Sequence, residues 1–484
     1  MQQDSNIPAI PVIAIFDIGK TNKKLLLFNR QYQLVLEESS QFAEITDEDG
    51  FPCEDLQQLT NWVKEKLNAL LLDQQYAIKA VNFSAYGASF VYLNQQGDVE
   101  LPLYNYLKPY SEQTLQLFHQ HYGDAGSIAK ETASPNLGNL NSGMQVYRIK
   151  HEKPKQFQEI KHALHLPQYL SYILSSQLYT DITSIGCHTQ LWNFQQKKYH
   201  EWVTKEGINH LFAPIAAYDH IAAKLNDSMV IGIGLHDSSA ALIPYLVAFT
   251  EPFVLLSTGT WCISLHPFNQ SPLSFEELAQ DCLCYLSFQG NPVKASRLFA
   301  GNDHEQQVKI LADHFALPID YYKTVVCNPQ LFNDANADQE DSSISDRLST
   351  IDGASQEDDN TSGAMVNQSE FGKRSLNSFS NYETAYHQLM YDIVVQQVIS
   401  TNLVLKDTKV KRIFVDGGFS KNPLYMYLLA KSYPNLEVFA ASVPQASAIG
   451  AALAIHQHWN PLPLPADMID LRLYAIHPGL TLGL

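Results

Sequence analysis

Asp17 closes the apolar run Ile13-Ala-Ile-Phe and is followed by Ile-Gly19-Lys20-Thr21-Asn22 and a second apolar run. A carboxylate beside Ile15 and Phe16 needs a strong partner, and a metal ion held near phosphate would be one. Gly-Lys-Thr also ends the Walker A phosphate loop. That loop requires a glycine five residues before Gly19, where this chain has Ala14, and it must feed a helix. Here "KKLLLFNRQYQLVLEES" follows, with β-type apolar runs around a polar turn at Asn29–Gln31. The stretch therefore reads as a β-hairpin with a polar tip and one acid at its base.

Three further stretches carry groups suited to chemistry. Ser257-Thr258-Gly259-Thr260 lies between two apolar strands, and hydroxyls with exposed N–H groups in a glycine turn can hold an anion. Asp416-Gly417-Gly418 ends the strand "KRIFVD" and leads through Asn422 into "PLYMYLLA", so a flat ligand or phosphate could approach bare backbone. His236-Asp237 opens "SSAALIPYL" after Gly232 and Gly234. An Asp there can be a simple N-cap, or a general base that takes a proton from a hydroxyl. Each stretch alone is more economically a turn or a cap.

The elements that must position these groups repeat. Strand–polar turn–strand occurs at residues 10–36 and again in "EPFVLLSTGTWCISLHP", about 240 residues later, which predicts two similar domains. Their expected bounds are 1–245 and 246–484. "AVNFS" reads as a strand and "NQQGD" as a turn; residues 111–176 read as helical. Leu389, Ile393, Val394 and Val398 fall on one helical face. "PQASAIGAALAIHQH" reads as a helix of small residues that lets another backbone come close. Residues 334–380 are acidic and rich in Ser, Asn and Asp, and are expected to be a mobile surface insertion.

At 484 residues, with 45% apolar content, the chain can fill two sizeable cores. Its 32 basic and 50 acidic residues leave a formal charge of −18, which argues against nucleic-acid binding. Six scattered cysteines do not form a disulfide framework, and Cys282 and Cys284 are too close for zinc-ribbon spacing. Reduced thiols and a cytoplasmic location are expected. "MQQDSNIPAIPVIAIFD" lacks a basic n-region, and no apolar run approaches the ~18 residues of a membrane span.

In their order along the chain, "FDIGKTNKKLL", "GLHDSSAAL", "LSTGTWCISL", "VDGGFSKNPLYMYLLA" and "QASAIGAALA" resemble the motifs of the FGGY carbohydrate kinases. "HDSSA", "STGTW" and "LNSGMQVYRI" are most similar to rhamnulokinases and fuculokinases. The resemblance implies an α/β actin-like, ribonuclease H-like fold of two domains with the active site in the cleft between them. It implies an ATP- and Mg²⁺-dependent kinase acting on a small sugar, monomeric or homodimeric, with Asp17 at the metal, directly or through water. Gly19, Lys20, Thr21, Asn22, Thr258, Gly259 and Thr260 would meet phosphate. Gly417, Gly418 and Asn422 would meet adenosine, and Asp237 would be the base. Tyr86, Gly87, Asn105, Gln145, His236 and Asp237 would face the sugar.

The chain departs from this pattern in two places. Rhamnulokinases carry Trp-Gly-x-Asp for the sugar, where this chain has Tyr86-Gly87-Ala88-Ser89. Where the family often has an Arg, "LYNYLKP" offers Asn105, Tyr106 and Lys108. The expected substrate is a ketose, L-rhamnulose or L-fuculose first, with Tyr86, Phe90 and Tyr92 forming an apolar end for a 6-deoxy methyl group. A pentulose such as xylulose or ribulose is the alternative. A sugar- or nucleotide-binding sensor of the same fold is a second, although it would need neither Asp17 nor Asp237.

Overall fold

The computed structural model describes residues 8–225, 229–334, 369–443, 445–465 and 467–474. The chain forms two compact units. Unit 1 comprises Met1–Thr250, Cys284–Pro292 and Pro444–Met468; unit 2 comprises Glu251–Leu283, Val293–Val443 and Ile469–Leu484. The units differ from the two halves read off the sequence, because residues 284–292 and 444–468 return to unit 1.

Unit 1 is built on a mixed sheet whose strand order runs Ile221–Leu225, Met229–Gly232, Tyr76–Ala85, Ile10–Ile18, Lys23–Asn29, Leu34–Ser40. The last three form an antiparallel meander, and Tyr76–Ala85 lies parallel to Ile10–Ile18. Alternation along Ile10–Ile18 sorts its side chains between two faces. Val12, Ala14, Phe16 and Ile18 enter a core with Leu59, Trp62 and Val63 of the helix Leu56–Leu72. Asp17 falls on the opposite face, where Ser447 of the small-residue helix Ala446–Ala454 meets it. A second core gathers Phe90, Tyr92, Tyr104, Phe118, Tyr147 and Trp202. Helices at Glu112–Tyr122, Ala125–Glu131, Ser142–Glu152, Pro154–Glu159 and Leu166–Ser175 match the helical reading of 111–176.

Unit 2 repeats the plan. Pro292–Leu298, Cys262–His266 and Phe253–Thr258 form an antiparallel meander, and Arg412–Gly417 then Glu437–Ser442 follow in parallel. In unit 1 the same five positions are Leu34–Ser40, Lys23–Asn29, Ile10–Ile18, Tyr76–Ala85 and Met229–Gly232. The repeat expected from the two polar hairpins is thus a repeat of sheet topology. In the helix Tyr382–Leu405, Leu389, Ile393, Val394 and Val398 are all buried.

The small-residue helix works as its composition suggests, though in unit 1. A Cβ at Gly450 would lie 1.8 Å from the Ala240 carbonyl oxygen, so the helices Ala446–Ala454 and Asp237–Ala248 meet backbone to backbone. The amide of buried Asn82 joins this contact by donating to the Ala451 carbonyl at 2.8 Å.

The expected insertion needs correction at one end. Residues 335–368 lie outside the described residues, but 369–380 are packed into unit 2. Phe371 is buried and stacks on Phe379. Arg374 grips buried Asp392 with two bonds, of 2.6 and 2.9 Å. The average composition of 334–380 hid these aromatic and guanidinium anchors. No disulfide joins the six cysteines. Among the described residues no helix is long and apolar enough to cross a membrane.

The close helix contact makes a direct prediction. Gly450→Ala should destabilise the chain by about 1–3 kcal/mol, the usual cost of overpacking, seen as a fall in Tm of several degrees. An unchanged Tm would mean that the two helices do not meet in this way.

Candidate active site

In unit 1 the first hairpin tip is a tight turn, with the Gly19 N–H donating to the Asn22 carbonyl at 2.9 Å. Thr21 and Asn22 are exposed, and the Asn22 side chain accepts from Gln41. The Lys20 ammonium contacts Glu44 at 2.8 Å and Glu54 at 3.8 Å. Asp17 is half-buried and accepts a 2.9 Å hydrogen bond from the Ser447 hydroxyl. Burial, then repulsion from Asp237, raises its pKa to about 6.

Asp237 is the first residue of the helix Asp237–Ala248, with His236 at the N-cap. Its Oδ1 accepts from the Ser238 N–H at 2.6 Å and from the Ser238 hydroxyl at 3.2 Å. Burial raises its pKa to about 6 against these hydrogen bonds. His236 is 4% exposed, and burial lowers its pKa to about 3, so its ring is neutral. Its Nδ1 pairs with the Ser239 hydroxyl at 3.2 Å, and its Nε2 lies 3.2 Å from both Cys187 Sγ and Asp237 Oδ1. A neutral imidazole cannot neutralise the acid beside it, so proton chemistry at this place falls to Asp237.

The sugar-side candidates divide. A Cβ at Gly87 would meet Cys187 Sγ at 3.0 Å and His236 Cδ2 at 3.1 Å, so Tyr86-Gly87 and His236-Asp237 lie together. Tyr106 joins them: its ring meets that of Tyr86 edge-on, and the charge of Asp237 helps burial to raise its phenol pKa. Gln145 is fully buried and donates both amide protons at 2.6 Å, to the carbonyls of Ala88 and Asn139. It holds the turn after Gly87. Asn105 is buried, and its side chain accepts from the Leu107 N–H within its own turn. Phe90 and Tyr92 contradict the expected methyl pocket. Phe90 stacks on His165 and Phe212, and Phe90 and Tyr92 belong to the second core.

Unit 2 carries a cavity of about 440 Å³ lined by Thr258, Gly259, Gly418 and Asn422 among the expected residues. Gly417 shapes it: φ is +91°, and a Cβ there would lie 1.9 Å from the Thr258 carbonyl oxygen. The Thr258 hydroxyl donates to the Asp416 carbonyl at 2.5 Å and accepts from the Phe419 N–H at 3.0 Å. Asn422 caps the helix Pro423–Ser432 with its oxygen and donates its amide to the Tyr386 hydroxyl at 2.8 Å. Thr260 is exposed, and its carbonyl accepts from Asn302 at the start of the helix Ala300–Phe315. His304, Tyr322, Tyr386 and Phe419 complete the walls. Sequence order hid them, because they come from two helices and two short 3-10 turns far apart in the chain.

Asp17 suits Mg²⁺, which takes one or two carboxylates plus substrate phosphates and keeps several waters. Two carboxylates raised by burial, Asp17 also by the charge of Asp237, are stabilised by a nearby cation. Among the described residues no group of three or more His, Cys, Asp or Glu could hold a metal by itself. The same electrostatics make Asp17 a strain on the ligand-free fold. Asp17→Asn should raise Tm by at least about 2 °C; a lower Tm would show that the charge is well compensated.

Residues 12–241 match the FGGY family of carbohydrate kinases, N-terminal domain. Over 276 residues the chain is 26% identical to the rhamnulokinase of Klebsiella pneumoniae (strain 342), covering 52% of this chain and 54% of that protein. It is 25% identical over 275 residues to the rhamnulokinase of Yersinia pestis bv. Antiqua (strain Angola). The chain thus spans about half the length of the curated relatives it matches. A carbohydrate kinase from Novosphingobium aromaticivorans shares the fold with a TM-score of 0.74 at 19% identity, covering 96% of this chain and 94% of that one. A ligand-bound xylulose kinase from Lactobacillus acidophilus does so with a TM-score of 0.73 at 15% identity, covering 97% and 94%. The fold is the actin-like, two-domain sugar kinase fold, and residues 12–241, a little under half of the chain, match the FGGY carbohydrate kinases.

Proposed function

We propose that the chain is an ATP-dependent kinase that phosphorylates a hydroxyl of a small sugar, with Asp237 as general base. One observation carries this reading: a carboxylate raised to about 6 stands at a helix start beside a neutral His, with a second raised carboxylate, Asp17, at the end of a central strand. A base with a pKa near the working pH combines the right protonation state with useful driving force. The bonds from Ser238 fall on Oδ1, which orients the carboxylate and leaves Oδ2 to take the proton.

Phosphoryl transfer depends on positioning and charge neutralisation more than on covalent chemistry. Lys20, Thr21 and Asn22 present an ammonium, a hydroxyl and an amide at the first hairpin tip. At the second, Thr258 and Gly259 shape the turn and Thr260 is exposed at its tip. Gly417 and Gly418 let a nucleotide lie against bare backbone beside Tyr386 and Phe419. Mg²⁺, when bound, neutralises phosphate charge, and Asp17 is the group that would hold it. Removing the base should be decisive. Asp237→Asn should lower kcat by roughly 10²–10⁴-fold with little change in sugar affinity. In the wild type, kcat/KM for the sugar should fall about tenfold per pH unit below about 6, as the base becomes protonated. A mutant with near-normal turnover would remove Asp237 from this role.

The preferred substrate is a 6-deoxy ketose, L-rhamnulose or L-fuculose. It is supported by the "HDSSA", "STGTW" and "LNSGMQVYRI" motifs and by the rhamnulokinase relatives. With Phe90 and Tyr92 in the core, the remaining apolar wall is Tyr86 with Tyr106. A methyl-sized contact discriminates by ~1–3 kcal/mol, so a preference is expected rather than exclusion. The test compares kcat/KM for L-rhamnulose and L-fuculose with D-xylulose and L-ribulose. A tenfold advantage for a pentulose would favour the second substrate class, which the xylulose kinase fold neighbour keeps in view. Sugar binding without ADP release would point to a sensor.

A further inference from the structure

Glu54 follows the short strand Pro52–Cys53, and nothing in the local sequence marks it. It is 5% exposed. Its Oε1 lies 2.5 Å from the ammonium of Lys23, itself 2% exposed. Its Oε2 accepts from the Tyr86 hydroxyl at 3.2 Å and lies 3.8 Å from the Lys20 ammonium. Lys23 in turn donates to the Lys20 carbonyl at 2.9 Å. One buried carboxylate therefore reaches the backbone of the first hairpin tip through Lys23 and the acceptor-side ring through Tyr86.

Two further contacts close this frame. The Tyr86 N–H donates to the Ile18 carbonyl at 3.1 Å, just before the hairpin tip. The edge-on contact of Tyr86 with Tyr106 fixes the ring from its other side. The Tyr86 phenol stays protonated, since burial and the charge of Glu54 push its pKa well above the ordinary value. It is therefore a lasting donor to Glu54, and its proton is not free for a substrate. A buried ion pair contributes little net stability once desolvation is counted. What this pair does contribute is a fixed distance between two parts of the site.

We propose that Glu54 is a positioning residue that holds the first hairpin tip and the Tyr86 side chain as one rigid frame, setting the phosphate-facing groups of unit 1 against its acceptor-facing groups. The proposal rests on the kinase reading for the roles of those groups. Loss of one charge alone would strand the other in the interior, so the test removes both.

Lys23→Met/Glu54→Leu, Tyr86→Phe and the triple variant are made in the full chain, and folding is checked by thermal melting. The sugar that the wild type turns over best is the probe, with ATP. Tyr86→Phe should raise sugar KM about three- to tenfold and leave ATP KM within about twofold. The Lys23→Met/Glu54→Leu pair should raise both KM values and lower kcat about tenfold or more. The triple variant should be no worse than the pair on sugar KM, because both changes cut the same link. A folded pair variant with both KM values within about twofold of wild type, or effects that simply multiply, would overturn the proposal.

Hydrogen exchange with no substrate present separates this idea from the kinase reading. The pair variant should speed exchange of the Gly19–Lys23 amides about tenfold, while Tyr86→Phe should not. Faster exchange in a chain whose wild type phosphorylates no sugar would uphold the frame and sink the kinase reading. Unchanged exchange in a chain with normal kinase activity would do the reverse.

Discussion

Two carboxylates in unit 1, Asp17 and Asp237, stand where burial disfavours their charge, and the arrangement around them follows from that constraint. Asp17 ends a central strand whose other side chains are apolar, so the sheet supplies little that can solvate it. Ser447, which donates to it, sits on a helix far away in sequence. Asp237 takes its hydrogen bonds from the residue that follows it. His236 stays neutral under burial and is held by Ser239 and Cys187. Two acids poised near pH 6 in this way are costly in a resting fold and well suited to a cation and a proton. The helix Ala446–Ala454 can deliver Ser447 only because its small residues let it lie against the Asp237 helix at Gly450.

The same five-strand plan serves opposite chemistry in unit 2. There the hairpin tip carries hydroxyls and glycine, and the parallel strand ends in Gly417 and Gly418. The side chains withdraw and backbone is exposed. Thr258 is fixed by the Asp416 carbonyl and the Phe419 N–H, which also fixes the turn around Gly417. His304 and Tyr386 from two helices, with Tyr322 and Phe419, supply walls that the turn lacks. One topology thus presents a pair of buried acids in one unit and, in the other, a cavity lined by backbone, aromatic rings and two lysines, Lys323 and Lys421. The difference lies in the few residues at the strand ends.

Local pattern was enough to place the hairpins, the strand before Gly417, the helix after His236 and the buried face of Tyr382–Leu405, because turn chemistry and apolar periodicity act over a few residues. The order of Asp17, Asp237, Thr258 and Gly417 along the chain also pointed to the family and its fold. Contacts between distant segments were decided only by tertiary packing. Ser447 on Asp17, Glu54 under Tyr86, Gln145 behind Ala88 and Tyr386 beside Asn422 each join residues whose own neighbourhoods give no sign of it. Phe90 and Tyr92 show the converse: aromatic residues three and five positions after Gly87 looked like a pocket wall, and packing drew them into a core with His165 and Phe212. In residues 369–380, Phe371 and Arg374 found partners that average composition could not reveal. A sequence determines which groups are available and which elements carry them; which of those groups meet depends on three-dimensional packing, where a carboxylate's partner can be 430 residues away.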